Sequence, residues 1–412
     1  MSANSTKSPL NLAIFFDQKL HSGGGYQQAL NAALLARKLP KYLVNISFYT
    51  NISENVESLA TYGIEVKYIN LNWFRRSFDD LFSSLNHPFL LKLLKIFYKH
   101  TKLEKMFMKQ QIDLVYFVSP SFLSQHLEIT NYIATIWDLC HRDNPEFPEV
   151  RIDRQFERRE KNYNIFLPKA TAIITDSEIG KNNCLRRYGL DEDRVYVIPF
   201  QAAYGLSECI RKESKTNITV KEQYKLDCEY VFYPAQLWAH KNHFYILEAL
   251  DILKRKFGIK MGAIFSGGDQ GNRQKLEKAI FDMGLQERIK FAGFVEKNEL
   301  VNLYEQSISL VMPTYFGPTN IPPLEAFKFG VPVVYPDKTG LRDQVGDAAL
   351  LVDLANPESL AVKLRHLVLE PSLRSEMAIL GRKKLQELES FDRSKTLELI
   401  IKRFKSRCNT WK

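Results

Sequence analysis

Short apolar runs rich in β-branched and aromatic residues alternate with longer amphipathic stretches, and this alternation occurs twice along the chain. In the first half the runs are LNLAIFF, YLVNISFYT, IEVKYIN, IDLVYFV, NYIATIW, TAIITD and RVYVIP, and in the second half they are YVFYPA, MGAIFSG, IKFAGF, ISLVMP and VPVVYP. Strands that alternate with helices form parallel sheets. The pattern predicts two Rossmann-like, doubly wound α/β domains that face an interdomain cleft, where ligands of such sheets bind.

The length of the chain and its polar middle segment set the predicted boundaries. With 412 residues the chain is too long for one ordinary core. We expect an N-terminal domain over residues 1–200, a linker with one short helix over 201–228, and a C-terminal domain over 229–390.

Several sequence features indicate the cellular compartment and the partners of the protein. Its first apolar run is too short for a secretory signal, and its best membrane-span candidate, FLLKLLKIFY, is interrupted by Lys92 and Lys95. Five scattered cysteines without a CxxC pair argue against structural zinc or a disulfide framework and favour a reducing cytosol. The net charge of +10 favours anionic partners.

Three segments of the sequence are rich in charged residues. Residues 90–109 predict a basic amphipathic helix, which either lies on an anionic membrane or packs its apolar face on a sheet with its lysines solvated. Asp191 to Asp193 spell DxD, but they fall at a helix-to-strand turn, which argues against a metal role. The basic C-terminus is interpreted as a solvated helix face, so no nucleic-acid partner is expected.

Two loops of the first half are candidate sites. Gly23, Gly24 and Gly25 lie between the first strand and the first helix, where they form either a tight turn or a loop whose amides approach an anion. Asp138 and His141 follow the fifth strand, where an imidazole near a carboxylate could protonate or orient a hydroxyl. The alternative is a loop anchored by prolines, with Asp138 capping backbone amides.

Two loops of the second half give stronger signals. Lys241 lies just before a helix that follows YVFYPA, where it is either a diphosphate ligand or a solvated lysine. After ISLVMP, a loop with Thr319 and Asn320 leads into a helix that opens with two prolines. Glu325 lies one turn inside this helix, where it either accepts hydrogen bonds from ribose hydroxyls or caps the first turn.

Taken together, these segments resemble the GT4 family of retaining glycosyltransferases, which have the GT-B fold. The resemblance spans nearly the whole chain: YPAQLWAHKNH resembles the donor-phosphate segment, residues 289–353 the nucleotide-sugar core, and PPLEAFKFGVPVV is its most specific piece. AIITDSEIGKNNCLRRYGLDEDRVYVIPF resembles the end of the family's N-terminal, acceptor-binding domain. Residues 391–412 resemble its closing helix, which crosses back to that domain.

The resemblance implies roles for individual residues. Lys241 would neutralise the donor diphosphate, Glu325 would bind the ribose, and backbone amides of residues 319–321 would hold phosphate or sugar hydroxyls. Expected catalytic residues are Asp138, His141, Lys241 and Glu325; expected donor contacts are Gly24, Gly25, Gln236, Lys241, Gly267, Gly268, Thr319, Asn320, Ile321 and Glu325. The nucleotide sugar would be a substrate, with no cofactor and no bound metal, since lysine, amides and helix dipoles stabilise the leaving diphosphate.

Three positions depart from the family pattern. The first glutamate of its E-x7-E motif is Gly317, the arginine five residues before the lysine is Gln236, and the histidine before Asp138 is Trp137, which leaves His141 as a substitute. These departures leave the donor base and sugar open among GDP-mannose, UDP-sugars and dTDP-rhamnose.

The leading hypothesis is therefore a metal-independent, hexosyltransferase-type enzyme (EC 2.4) of cell-surface glycan assembly, such as lipopolysaccharide. It would move a mannosyl, rhamnosyl or related sugar to a polysaccharide or lipid-linked saccharide at the cytoplasmic face of the inner membrane. The alternative is a catalytically silent GT-B scaffold in a glycan-assembly complex. A GT-B sugar epimerase is a third hypothesis, against which Lys241 and the PPLEA segment argue.

Overall fold

The computed structural model describes residues 8–19, 24–71, 99–204 and 218–411, which form two compact units. The first unit comprises Met1–Leu139, Phe156–Pro199 and Asp392–Lys412, and the second comprises Cys140–Gln155 and Phe200–Phe391. Residues 140–155 thus belong to the second unit, although in the chain they follow a strand of the first.

The first unit contains a seven-stranded sheet in the order β3-β2-β1-β4-β5-β6-β7, and all its neighbouring strands are parallel. All seven strands coincide with predicted apolar runs. They are β1 (Leu10–Phe16), β2 (Val44–Thr50), β3 (Val66–Tyr68), β4 (Leu114–Phe117), β5 (Asn131–Ile136), β6 (Ala172–Thr175) and β7 (Val195–Val197).

The second unit contains a six-stranded parallel sheet in the order β10-β9-β8-β11-β12-β13. The strands are β8 (Tyr230–Pro234), β9 (Gly262–Ser266), β10 (Ile289–Gly293), β11 (Ser309–Val311), β12 (Val333–Pro336) and β13 (Ala349–Val352). The predicted runs do not include β13, a four-residue strand at the edge of the sheet.

Helices separate most of these strands and cover both sheets. In chain order the described helices are α1 (Gly24–Ala36), α2 (Glu54–Ala60), α3 (Lys102–Lys109), α4 (Cys140–Asp143), α5 (Pro148–Arg151), α6 (Gln155–Phe166), α7 (Glu178–Tyr188), α8 (Val220–Gln223), α9 (His243–Phe257), α10 (Arg273–Asp282), α11 (Lys297–Glu305), α12 (Pro322–Phe329), α13 (Leu341–Val345), α14 (Pro357–Leu369), α15 (Pro371–Glu389) and α16 (Arg393–Cys408).

The last helix completes the core of the first unit. Leu397, Ile401 and Phe404 of α16 are buried in the same apolar cluster as β1, β2 and α1. Arg393 donates to the Pro199 carbonyl at 2.9 Å, and Arg403 pairs with Asp193. α16 therefore packs on one face of the first sheet, while α3 and α6 contribute to the cluster on the other.

The charged segments also have positions in this fold. Asp191, Glu192 and Asp193 each pair with a basic side chain, and among the described residues no group of three His, Cys, Asp or Glu side chains could hold a metal ion. Of the predicted basic helix at 90–109, residues 90–98 lie outside the described residues. The described part, α3, buries Leu103 and Phe107 in the core. No helix in the described part of the chain is long and apolar enough to cross a membrane.

Each sheet has one point where its strand order reverses. This switch lies between β1 and β4 in the first sheet and between β8 and β11 in the second. Loops that leave adjacent strands in opposite directions open a crevice at such a point, and ligands of doubly wound sheets bind there. The candidate residues that follow β1, β8 and β11 in sequence are therefore placed at switch points.

Candidate functional site

A lysine and an asparagine meet at the switch point of the second sheet. Lys241 ends the short 3-10 turn Ala239–Lys241 after β8, and its Nζ lies 3.5 Å from Oδ1 of Asn320, on the loop after β11. α9 begins at His243, so the helix dipole adds partial positive charge beside the ammonium group. This arrangement suits an anion such as a diphosphate.

The orientation of Asn320 is fixed by a network of hydrogen bonds. Its Nδ2 donates to the hydroxyl of Tyr335 at 2.7 Å and to the carbonyl of Phe316 at 3.3 Å, which leaves Oδ1 facing Lys241. The Gln344 side chain accepts from the Asn320 amide at 3.0 Å and donates to its carbonyl at 2.6 Å. The amide of Asn320, one of three expected to hold phosphate, is therefore engaged within the protein.

Glu325 lies in the first turn of α12 as a buried carboxyl group. It is 6% exposed, and the Tyr304 hydroxyl donates to its Oε2 at 2.8 Å. Burial raises its pKa to about 7, although the Tyr304 hydrogen bond and the charge of Lys328 act in the opposite direction. The bond to Tyr304 uses Oε2, and Oε1 has the chemistry of an acceptor for a hydroxyl such as that of a ribose.

Buried tyrosines connect these residues to the core of the second sheet. The hydroxyl of Tyr233 donates to the carbonyl of Lys241 at 3.0 Å, and that of Tyr335 donates to Gln344 at 3.2 Å. Their rings, like that of Tyr304, belong to the main apolar cluster of the unit. No sequence signal marks these tyrosines as part of a site, because inside an apolar strand or helix they are indistinguishable from other core residues.

The loops after β8 and β9 run side by side. Leu237 donates to the carbonyl of Gly268 at 3.0 Å, and the Gln236 side chain accepts from the Trp238 indole at 2.9 Å. Gly267 has φ +147°, and a Cβ there would lie 2.6 Å from the Ala235 backbone, so only glycine fits. A Cβ at Gly268 would meet nothing within 4 Å, so this glycine faces open space.

Packing accounts for the glycine at position 317. A Cβ on Gly317 would lie 2.3 Å from Cδ2 of Leu341, whose side chain is 1% exposed. Leu341 is the first residue of α13 and fills the space beside the loop. A glutamate at 317 would therefore require Leu341 to move, and this chain has an apolar side chain where the family pattern has a carboxylate.

Of the glycine loop in the first unit, Gly23 lies outside the described residues, whereas Gly24 and Gly25 open α1. A Cβ on Gly25 would lie 2.7 Å from Cζ3 of Trp137 and 3.2 Å from Oε1 of Gln18. The glycine is thus required by the close approach of Trp137, which follows β5 across the switch point. An indole takes the place that a histidine has in the family pattern.

Asp138 is paired with an arginine, and His141 is completely buried. Asp138 accepts from Arg159 of α6 at 2.9 Å, and Arg159 also lies 3.3 Å from the hydroxyl of Tyr163. Burial alone would lower the pKa of Arg159, but the charge of Asp138 raises it. His141 is 0% exposed in the second unit. A catalytic role for either residue stays a prediction, and for His141 it would require α4 to move.

His243 is a packed histidine rather than a ligand. Its ring lies between Tyr233 and Phe265, with ring centroids 4.8 and 4.9 Å away. Burial lowers its pKa to about 3, helped by the charge of Lys241, so the imidazole is neutral at pH 7.

A family model described as "Glycosyl transferases group 1" matches residues 214–384, the segment that contains Lys241, Asn320 and Glu325. Over these residues, which make up less than half of the chain, the protein is similar to the group 1 glycosyltransferases. Similarity to named relatives extends beyond the matched segment. The O-antigen chain mannosyltransferase B of Escherichia coli is 24% identical over 290 residues, which cover 70% of this chain and 73% of that relative.

Further comparisons give the same class and the same fold. The O-antigen chain mannosyltransferase RfbU of Salmonella typhimurium is 26% identical over 200 residues, 47% of this chain and about half (51%) of that relative. Among solved structures, HepE of Anabaena in complex with UDP and glucose matches with a TM-score of 0.67 at 16% identity, covering 96% of this chain and 100% of that one. This glycosyltransferase therefore has the GT-B fold, with the two parallel sheets described above.

Proposed function

We propose that this glycosyltransferase moves a hexosyl-type sugar, with retention of configuration, from a nucleotide-sugar donor to a saccharide acceptor. The observation that carries the proposal is the contact between Lys241 and Asn320 at the switch point of the second sheet, within the family-matched residues 214–384. A fixed ammonium group beside a helix N-terminus stabilises the negative charge that develops on a leaving diphosphate.

The remaining donor contacts follow from the loops around this point. Glu325 Oε1 would accept from a ribose hydroxyl, the open side of Gly268 would face the nucleoside, and the amides of Thr319 and Ile321 would face phosphate or sugar hydroxyls. Gln236, Gly267 and Asn320 would shape the pocket, while Gly24 and Gly25 would border the reacting centre. Because Lys241 and the helix N-terminus already supply positive charge, we propose that transfer needs no bound metal.

We further propose that the acceptor is a polysaccharide or a lipid-linked saccharide of cell-surface glycan assembly. The names of the two O-antigen mannosyltransferases support this acceptor class and make mannose the first sugar to test, with rhamnose as the next. The enzyme would work in the cytoplasm, at the cytoplasmic face of the inner membrane. The lysines of the basic segment 90–109, whose described part packs its apolar side in the core, would supply contact with anionic lipid. No nucleic-acid partner is proposed.

The test is a thermal-shift panel of nucleoside diphosphates and nucleotide sugars, each measured with and without EDTA. A ligand that binds only the folded state raises its stability by about 2.7 kcal/mol at a hundred times its dissociation constant. We expect a selective, EDTA-insensitive shift with one base, followed by sugar transfer from the matching donor. A shift without transfer to any acceptor would favour the silent-scaffold alternative, and no shift with any ligand would contradict the proposed donor site.

A variant pair connects the shift to the proposed site. Lys241→Ala should weaken donor binding by roughly 1.5–3 kcal/mol through loss of a charge-assisted hydrogen bond. Lys254→Ala, at the exposed far end of α9, is the matched control and should bind as the unmodified chain does. Equal affinity in both variants would remove Lys241 from the site.

A further inference from the structure

The turn that carries Lys241 is held by residues from several elements. The carbonyl of His240 accepts from the amide of Tyr315 at 2.9 Å, and the carbonyl of Lys241 accepts from Tyr233 at 3.0 Å. Asn242, the next residue, has φ +56°, a left-handed conformation that is uncommon outside glycine. Hydrogen bonds from Tyr315 and Tyr233 thus hold the backbone carbonyls of His240 and Lys241.

The side of the turn that faces α5 is held by Glu149. Its Oε1 accepts from the backbone amide of His240 at 3.0 Å and also contacts Nδ1 of the His240 ring. Both side chains are 11% exposed. Burial alone would raise the pKa of Glu149, but the hydrogen bonds from the His240 ring and amide lower it below its usual value. The carboxylate is therefore ionised at pH 7, and its Oε1 is engaged by His240.

The His240 ring is also clamped by aromatic packing. It stacks on Phe316 with centroids 4.0 Å apart and an interplanar angle of 10°, and Phe147 packs edge-on against Phe316 at 5.3 Å. Phe147 and Glu149 both belong to residues 140–155, which join the second unit from a distant part of the chain. One short segment thus contributes both the carboxylate and an aromatic wall around the residue before Lys241.

We infer that Glu149 is a positioning residue for the donor diphosphate. It fixes His240 through the amide and the ring, and so holds Lys241 Nζ beside Asn320 before the ligand arrives. The inference rests on the proposed function and extends it to a residue outside the family-matched segment 214–384. A preorganised cation spends less binding free energy on ordering than a mobile one, so loss of Glu149 should appear as loss of diphosphate affinity.

The experiment measures UDP and GDP binding by isothermal titration to the full chain and to its Glu149→Ala, Glu149→Gln and Lys241→Ala variants. We expect Glu149→Ala to weaken binding about tenfold and Glu149→Gln, which keeps an acceptor oxygen for the His240 amide, to recover about half of that loss on a logarithmic scale. Glu146→Gln, an exposed glutamate on the same segment, is the matched control and should leave affinity unchanged.

A double-mutant cycle separates positioning from general damage to the fold. If Glu149 acts through Lys241, adding Glu149→Ala to Lys241→Ala should cost less than about a further twofold in affinity. Melting of each ligand-free variant shows that binding is measured on folded protein, and the isosteric Glu149→Gln variant keeps the test open if Glu149→Ala does not fold.

Each outcome decides the inference. Tenfold weaker binding that disappears in the Lys241→Ala background supports it. Unchanged affinity in the Glu149 variants, or a loss that adds fully to that of Lys241→Ala, overturns it while the proposed function stands. No binding of UDP or GDP to the unmodified chain, together with no response to any other nucleotide in the thermal panel, removes both.

Discussion

The buried carboxyl group of Glu325, which we propose accepts from a ribose hydroxyl, lowers the stability of the fold at high pH. Its pKa, raised to about 7 by burial, lies above that of the same group in the unfolded chain, near 4.5. As pH rises through this window the unfolded state releases its proton first, so the free energy of unfolding falls with increasing pH. The folded protein is therefore expected to be less stable at pH 8 than it would be if this carboxyl group stayed neutral.

Replacing Glu325 by glutamine should stabilise the ligand-free protein at pH 8 and weaken the donor complex. We expect a gain of about 1–3 kcal/mol in the free energy of unfolding at pH 8, and a much smaller gain at pH 4, where the carboxyl group is neutral in the folded state and mostly neutral in the unfolded state. Urea unfolding at the two pH values, with UDP and GDP titrations at pH 8, measures both effects. Glu376→Gln on the exposed side of α15 is the control. A stability difference independent of pH would contradict the assignment.

Gly317 illustrates packing as the cause of a sequence departure. A methyl group at 317 would overlap Leu341 at 2.3 Å, whereas one at Gly268 would enter open space. Gly317→Ala should therefore destabilise the protein by about 1–3 kcal/mol through overpacking, and Gly268→Ala by much less.

The cause can be checked with a second variant at Leu341. Leu341→Ala alone leaves a cavity, but it also makes room for the methyl group at 317, so the combined variant should lose at least about 1 kcal/mol less than the sum of the two single losses. Denaturant unfolding of the four proteins measures this coupling. Additive losses would show that Leu341 is not the residue that excludes a side chain at 317.

At the scale of elements, α16 contributes more to the fold than a solvated basic helix would. Its apolar side completes the core on one face of the first sheet, while Leu399 on the opposite side is 56% exposed. Phe404→Ala should cost about 3–5 kcal/mol, the usual range for a large side chain removed from a core. Leu399→Ala on the same helix is the matched control and should cost under about 0.5 kcal/mol. Equal effects, measured by denaturant unfolding, would mean that α16 does not complete this core.

For the molecule as a whole, the switch point of the second sheet predicts which backbone amides a bound ligand protects from hydrogen exchange. Binding of a nucleoside diphosphate should slow hydrogen exchange in residues 235–242 and 314–326, which follow β8 and β11. Residues 258–262 and 284–288, at the opposite edge of the second sheet, serve as the internal control. Amides are protected where a ligand or a stabilised segment restricts opening. Uniform protection of both edges would contradict a site at the carboxyl ends of these strands.

Much of the fold is predictable from the sequence because its cause is local. Strands buried on both faces appear as short apolar runs, and the helices between them appear as amphipathic stretches, so twelve of the thirteen described strands match a predicted run. The exception, β13, is a short strand at the edge of its sheet. The position of Lys241 can also be predicted from the sequence, because chain order alone places a lysine between a strand and a helix at the edge of a parallel sheet.

The burial and the hydrogen-bond partners of each candidate residue cannot be predicted from the sequence in this way. Glu325 lies where the sequence placed it, but its burial and its bond to Tyr304 depend on α11 packing beside α12. Asp138 was expected to face a substrate, yet its carboxylate pairs with Arg159, twenty-one residues away in the chain. Glu149 gave no signal at all, because its partner His240 is ninety-one residues distant.

The sequence by itself determined the two parallel sheets and the strand ends that carry Lys241, Asn320 and Glu325, because periodicity and chain order are local properties that each sheet preserves. The class of enzyme came from the resemblance of these segments to a known family. Only the tertiary structure decided which polar groups are already engaged, why Gly317 has no side chain, and that residues 140–155 pack in the second unit. These facts depend on contacts between segments far apart in sequence, for which one chain carries no periodic signal.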